Sequence, residues 1–133
     1  MRLLLAEDYP GFAENVLALL GAKGIKVTQV ATNGHVAAAL VEGQEWDAVL
    51  TDYDLGSGPN GGEIAQLAIG NVPLVILWSS IPRYQDELPE GVFDAEGFWL
   101  LEKSDTRVVV HLLNKLKNEL VWKANAAETL ERP

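Results

Sequence analysis

Four apolar runs in this chain each end on residues able to do chemistry. Leu3-Leu4-Leu5-Ala6 runs into Glu7-Asp8, and Ala48-Val49-Leu50-Thr51 into Asp52. Leu74-Val75-Ile76-Leu77-Trp78 runs into Ser79, and Phe98-Trp99-Leu100-Leu101-Glu102 into Lys103. In a parallel α/β sheet the carboxyl ends of the strands lie along one edge, where ligands bind. That edge would gather two or three carboxylates, a hydroxyl and an ammonium. Such a pocket suits a divalent metal and a phosphoryl group.

The elements that must position these residues follow from periodicity. The apolar runs lack strict in–out alternation, as strands buried on both faces do, and helix-period segments alternate with them. The first strand spans about Arg2–Ala6 and the second about Lys26–Ala31. The third is Asp47–Thr51, the fourth starts at Pro73, and the fifth follows Gly97. The first helix starts near Pro10, a residue helix starts favour, and carries Phe12, Val16, Leu19 and Leu20 on one face. Asn33-Gly34 opens a second helix, about His35–Glu42, and a Gly-rich loop from Gly56 to Gly62 leads into a third near Glu63–Ile69. The fifth helix takes Ser104 as its N-cap and carries Val109, Leu112, Leu113, Leu116 and Leu120 on its apolar face. The fourth is irregular. Pro82, Pro89, Gly91 and Gly97 punctuate the stretch between Ser80 and Phe98, so one or two turns around Arg83–Leu88 are the most expected there. The fold class is α/β: a single, doubly wound, five-stranded parallel sheet. Residues 1–122 form the domain, and 123–133 a helical or disordered tail.

Composition narrows the function. The 133 residues suffice for one domain with its own core, and 48% of them are hydrophobic, which excludes overall disorder. Cysteine is absent, so thiolate chemistry, disulfides and cysteine-bound zinc are excluded. Strand-like sequence begins at Arg2, which leaves no room for a signal segment, and no apolar run approaches the roughly 20 residues that span a bilayer. The expected location is the cytoplasm. The net charge is −9, from 10 basic and 19 acidic residues, which disfavours nucleic acid and membrane surfaces as partners.

With this order of strands and helices, the residue layout resembles the receiver domain of two-component response regulators over about residues 2–122. Glu7-Asp8 matches that family's acidic pair, Asp52 its phosphoacceptor, Ser79 its Thr/Ser and Lys103 its lysine. Asp52-Tyr53-Asp54-Leu55-Gly56 is similar to the variant with Leu-Gly in place of Met-Pro. The resemblance implies the flavodoxin-like strand order 2-1-3-4-5 and adds the backbone carbonyl of Asp54 as a metal ligand. It also implies that Ser79, on meeting a phosphoryl oxygen, draws the following loop inward. Three positions depart from the family: Ser104 replaces a proline after the lysine, Leu100 replaces the aromatic switch residue, and Ser80 follows Ser79 where alanine is frequent. A Tyr–Ser rotamer switch is therefore not available in its usual form.

Physical chemistry gives the same roles. Mg2+ prefers octahedral oxygen ligands, usually one or two carboxylates with waters and phosphate oxygens. Asp8 and Asp52 would hold it, with Glu7 acting directly or through water. Asp52 would attack a phosphoryl donor as a carboxylate nucleophile, Lys103 would neutralise charge, and Ser79 would donate a hydrogen bond. The function that the resemblance implies is a phosphorelay receiver that takes a phosphoryl group from a histidine kinase or histidine phosphotransfer protein. It would signal to a target protein by contact, without being a multiple-turnover enzyme; homodimerisation stays open. Alternatives are a non-switching adaptor, or a Mg2+-dependent phosphatase or Toprim-like enzyme using Asp52-x-Asp54. Ser80 competes with Ser79 for its role. The Gly-rich loop lacks the Lys-Ser/Thr ending of a phosphate-binding loop and reads as a flexible turn. His35 and His111 read as surface residues, and Trp46, Trp78 and Trp99 as packing residues. Trp122 lies with His111, Lys115 and Asn118 opposite the apolar stripe, as part of a packed tail or of a partner surface.

Overall fold

A computed structural model of the chain describes residues 1–81 and 85–131. Its elements are β1 (Leu3–Ala6), α1 (Pro10–Ala22), β2 (Gln29–Ala31), α2 (Gly34–Gly43), β3 (Ala48–Thr51), α3 (Gly61–Ala68), β4 (Leu74–Ser79), β5 (Phe98–Glu102) and α4 (Thr106–Glu131). The five strands are parallel in the order β2-β1-β3-β4-β5. This is the expected doubly wound, flavodoxin-like sheet. Among the described residues no helix is long and apolar enough to cross a membrane.

Successive strand residues alternate between two cores. Leu4, Ala6, Val49, Val75 and Leu77 face α2 and α3 with Ala37, Val41, Ile64 and Ala68. Leu3, Leu5, Leu50, Ile76 and Trp78 face α1 and α4 with Val16, Leu20, Val109 and Leu113. The central strands are covered on both sides, which explains their unbroken hydrophobicity. Strand β2 begins at Gln29, later than the expected Lys26; just before it, at Thr28, the side-chain hydroxyl accepts the Leu3 amide at 2.9 Å.

The stretch expected to hold an irregular fourth helix contains one 3-10 turn, Gln85–Glu87, while residues 82–84 lie outside those described. Leu88 and Val92, both buried, plug the core beneath it in place of a helical face. The last helix begins at Thr106 rather than after Ser104. Asp105 takes over the start: its carboxylate accepts the Glu102 amide at 3.0 Å and its carbonyl accepts the Val109 amide at 3.2 Å.

Two tryptophan expectations change. Trp46 and Trp78 are buried as expected, but Trp99 is 44% exposed because β5 is an edge strand. Trp122 is 70% exposed and therefore not packed on the body. It follows buried Leu113 by nine residues, a rotation of about 180° around a continuous helix. The Gly-rich loop is no loose turn either. The Ser57 carbonyl accepts the Gly34 amide at 2.9 Å, and a Cβ on Gly34 would run into the Pro59 carbonyl. The start of α2 therefore packs directly on this loop.

Candidate functional site

Register brings the four strand ends together. Ala6 pairs with Thr51, so Glu7 and Asp52 emerge side by side; Thr51 pairs with Leu77, two residues before Ser79, and Ser79 pairs with Glu102, the residue before Lys103. Carboxylate oxygens of Glu7, Asp8 and Asp52 lie within 4.8 Å of one another. Lys103 reaches into the group, its Nζ 3.2 Å from Glu7 Oε2 and 3.3 Å from Asp52 Oδ2. Sequence reasoning named all four.

Backbone contacts fix their orientation. The Asp52 amide donates to the Ala6 carbonyl at 2.9 Å, and the Tyr53 amide donates to Asp52 Oδ1 at 2.8 Å. The Tyr9 amide donates to Glu7 Oε1 at 3.2 Å. Helix α3 starts hard against Asp52: the Gly61 amide donates to the Tyr53 carbonyl at 2.7 Å, and a Cβ on Gly61 would collide with the Asp52 carbonyl. Asn60 and Glu63 form a reciprocal capping box that secures this helix start.

Charge in the pocket is unbalanced, with three carboxylates against one ammonium. Glu7 is only 2% exposed. Burial and the neighbouring Asp52 charge push its carboxyl above the ordinary value of 4.5; the Tyr9 amide and Lys103 oppose the shift without cancelling it. An all-oxygen, anionic donor set around a buried carboxylate fits a hard divalent cation such as Mg2+.

Ser79 is buried at the end of β4, and its Oγ accepts the Ile81 amide at 3.3 Å. Its carbonyl accepts the Lys103 amide at 2.8 Å, joining the two strand ends. Ser80, the competing hydroxyl, is exposed. Asp54 is exposed, and its side chain lies outside the three-carboxylate cluster. His35 and His111 are exposed, as expected of surface histidines. Sequence reasoning missed Phe12, whose ring lies 3.7 Å from Lys103 Nζ. Its only signal was a place four residues after Asp8, where a stripe residue of α1 also reaches the pocket.

No family model matches the sequence, and a search of curated proteins gives no match. Solved structures do match. The N-terminal domain of a response regulator/sensory box/GGDEF three-domain protein from Carboxydothermus hydrogenoformans superposes with a TM-score of 0.70 at 23% identity, over 95% of this chain and 99% of that one. The fold is that of a response-regulator receiver domain. A second receiver-type match is the response regulator TrrA from Thermotoga maritima in complex with Mg2+-BeF, with a TM-score of 0.69 at 20% identity over 86% of this chain and 97% of that one. A third is a response regulator from Burkholderia pseudomallei with a phosphorylated aspartic acid, a calcium ion and citrate, with a TM-score of 0.65 at 22% identity over 99% and 75% of the two chains. In the receiver fold of this chain, the acidic cluster sits at the carboxyl edge of the sheet, where α/β folds bind ligands.

Proposed function

We propose that this chain is a phosphoacceptor receiver of a two-component phosphorelay, modified on Asp52. The observation that carries this reading is the placement of Asp52 at the end of β3, beside Glu7, Asp8 and the Lys103 ammonium. An Asp52 carboxylate oxygen forms the bond to phosphorus while the P–N bond of a phosphohistidine donor breaks, and the electron pair returns to the imidazole. Lys103 neutralises charge on the phosphoryl oxygens, and the Ser79 hydroxyl donates a hydrogen bond to one of them. Mg2+, held by Asp8 and Asp52, by Glu7 directly or through water, and by the Asp54 backbone carbonyl, would supply further positive charge there. The donor is a histidine kinase or phosphotransfer protein, and the output is contact with a target protein rather than catalytic turnover. In this reading the receiver unit is residues 1–122, acting in the cytoplasm, and 123–133 is its tail.

A phosphatase using Asp52-x-Asp54 is less well supported, because the three-carboxylate group is formed by Glu7, Asp8 and Asp52 and does not include Asp54. The adaptor alternative draws on Leu100, an aliphatic residue packed against the α2/α3 core where the family carries an aromatic switch. Intact mass after incubation with acetyl phosphate and Mg2+ tests the proposal. The wild-type chain should gain one phosphoryl group and Asp52→Asn none. Undiminished labelling of the variant would move the acceptor elsewhere, and an unlabelled wild-type chain would favour the adaptor.

A further inference from the structure

The Lys103 ammonium has two anionic neighbours and one that is not anionic. Its Nζ lies 3.7 Å from the centroid of the Phe12 ring, 3.2 Å from the Glu7 carboxylate and 3.3 Å from that of Asp52. The ring is itself held. Trp78 meets it edge-on, with centroids 5.4 Å apart and planes at 61°. The buried Trp78 indole N–H donates to the Glu102 carbonyl at 2.8 Å, one residue before Lys103. Phe12, Trp78, Glu102 and Lys103 thus close a circuit linking α1, β4 and the end of β5.

We propose that Phe12 is a positioning residue for Lys103, resting on the reading that Lys103 serves a phosphoryl group on Asp52. A lysine stem has several rotatable bonds, and an ammonium between two carboxylates can settle nearer either or swing towards water. The π-face attracts the cation without accepting any of its N–H bonds in the manner of a carboxylate. The donors therefore stay available to Glu7 and Asp52 before the reaction and to a phosphoryl oxygen after it. The ring also covers one side of the ammonium, which strengthens its attraction to the carboxylates by excluding water.

Fluorination of the Phe12 ring provides the test, since mono-, di- and trifluorophenylalanine drain the π-face while keeping its shape. The rate of phosphorylation by acetyl phosphate with Mg2+, read by intact mass, should fall stepwise with each fluorine. Phe12→Leu should lose roughly 3- to 30-fold, the range for a cation–π contact between exposed and desolvated. Phe12→Tyr should restore the rate. In a Lys103→Met background the Phe12 variants should all behave alike, because the partner is gone. A rate independent of fluorine content, or the same Phe12→Leu loss in Lys103→Met, would overturn the proposal.

A second measurement does not depend on phosphorylation. Ring current should shift the Lys103 side-chain protons upfield in the unphosphorylated protein, with the shift lost in Phe12→Leu and restored in Phe12→Tyr. Absence of that shift overturns the positioning role. A wild-type chain that shows the shift but takes no phosphoryl mass instead overturns the phosphoacceptor reading and leaves the contact established.

Discussion

Replacing Glu7 by glutamine should stabilise the metal-free protein at neutral pH, although it removes an ion pair. Glu7 is 2% exposed, and the carboxylate oxygens of Glu7, Asp8 and Asp52 lie within 4.8 Å of one another. At an effective dielectric constant of about 20, two like charges 4.8 Å apart repel by about 3.5 kcal/mol. Lys103, 3.2 Å from Glu7, attracts it by about 5 kcal/mol on the same scale. Burying the carboxylate costs several kcal/mol more, so desolvation and repulsion together exceed the attraction. The upward displacement of the Glu7 carboxyl, caused first by burial and then by Asp52, has the same sign. The net gain for Glu7→Gln should be on the order of 1 kcal/mol, or about 4 °C in Tm for a domain of this size.

The pH dependence fixes the cause. A carboxyl raised in the folded state contributes stability that is complete below its ordinary value of 4.5 and lost as pH rises through the folded value. Glu7→Gln never ionises. Its advantage should therefore vanish below 4.5 and grow as the pH rises towards neutrality. Added Mg2+ should reverse the comparison, because a cation at 100 times its Kd stabilises the wild-type protein by about 2.7 kcal/mol, and glutamine weakens that binding. Thermal melts followed by circular dichroism, in chelator and in excess Mg2+ across this pH range, give the four comparisons needed. A lower Tm for Glu7→Gln in chelator at neutral pH would refute the reasoning, since the Lys103 pair would then outweigh desolvation. A difference that does not change with pH would refute it equally.

Two further outcomes are expected. Gly61→Ala should cost about 3 kcal/mol, the upper end of overpacking penalties, because its Cβ meets the Asp52 carbonyl, which is backbone and cannot swing aside; denaturant unfolding checks this, and acceptance of phosphate at Asp52 should fall with it. A beryllofluoride-type phosphoryl mimic should increase amide protection at residues 85–96. The Ser79 hydroxyl accepts the Ile81 amide while it can donate to the phosphoryl group, so it can draw the following loop inward. Hydrogen exchange should show that gain in the wild-type chain and not in Ser79→Ala, and equal exchange with and without the mimic would favour the adaptor.

Much of the site was legible in the sequence because a parallel sheet converts sequence position into spatial position. Once each apolar run is a strand, its carboxyl end must lie on one edge. Glu7, Asp8, Asp52 and Lys103 then converge whatever the details of packing, and the structure brings them within hydrogen-bonding or metal-bridging reach. The two-sided burial of the central strands was legible for the same reason, since their runs leave no polar face for solvent. Contacts between elements were not legible. Phe12 belongs to the apolar stripe of α1 by its spacing, and only the docking of α1 against β4 and the end of β5 brings its ring to Lys103. Trp99 reads like Trp78 in sequence, yet the edge position of β5 exposes it. The start of α4 was decided by Asp105, whose carboxylate reaches back to the Glu102 amide, and not by the nearer serine. Local patterns determine which residues become strands and which ends carry chemistry; tertiary packing decides which side chains meet, because partners far apart in the chain are chosen by the space the whole fold leaves between them.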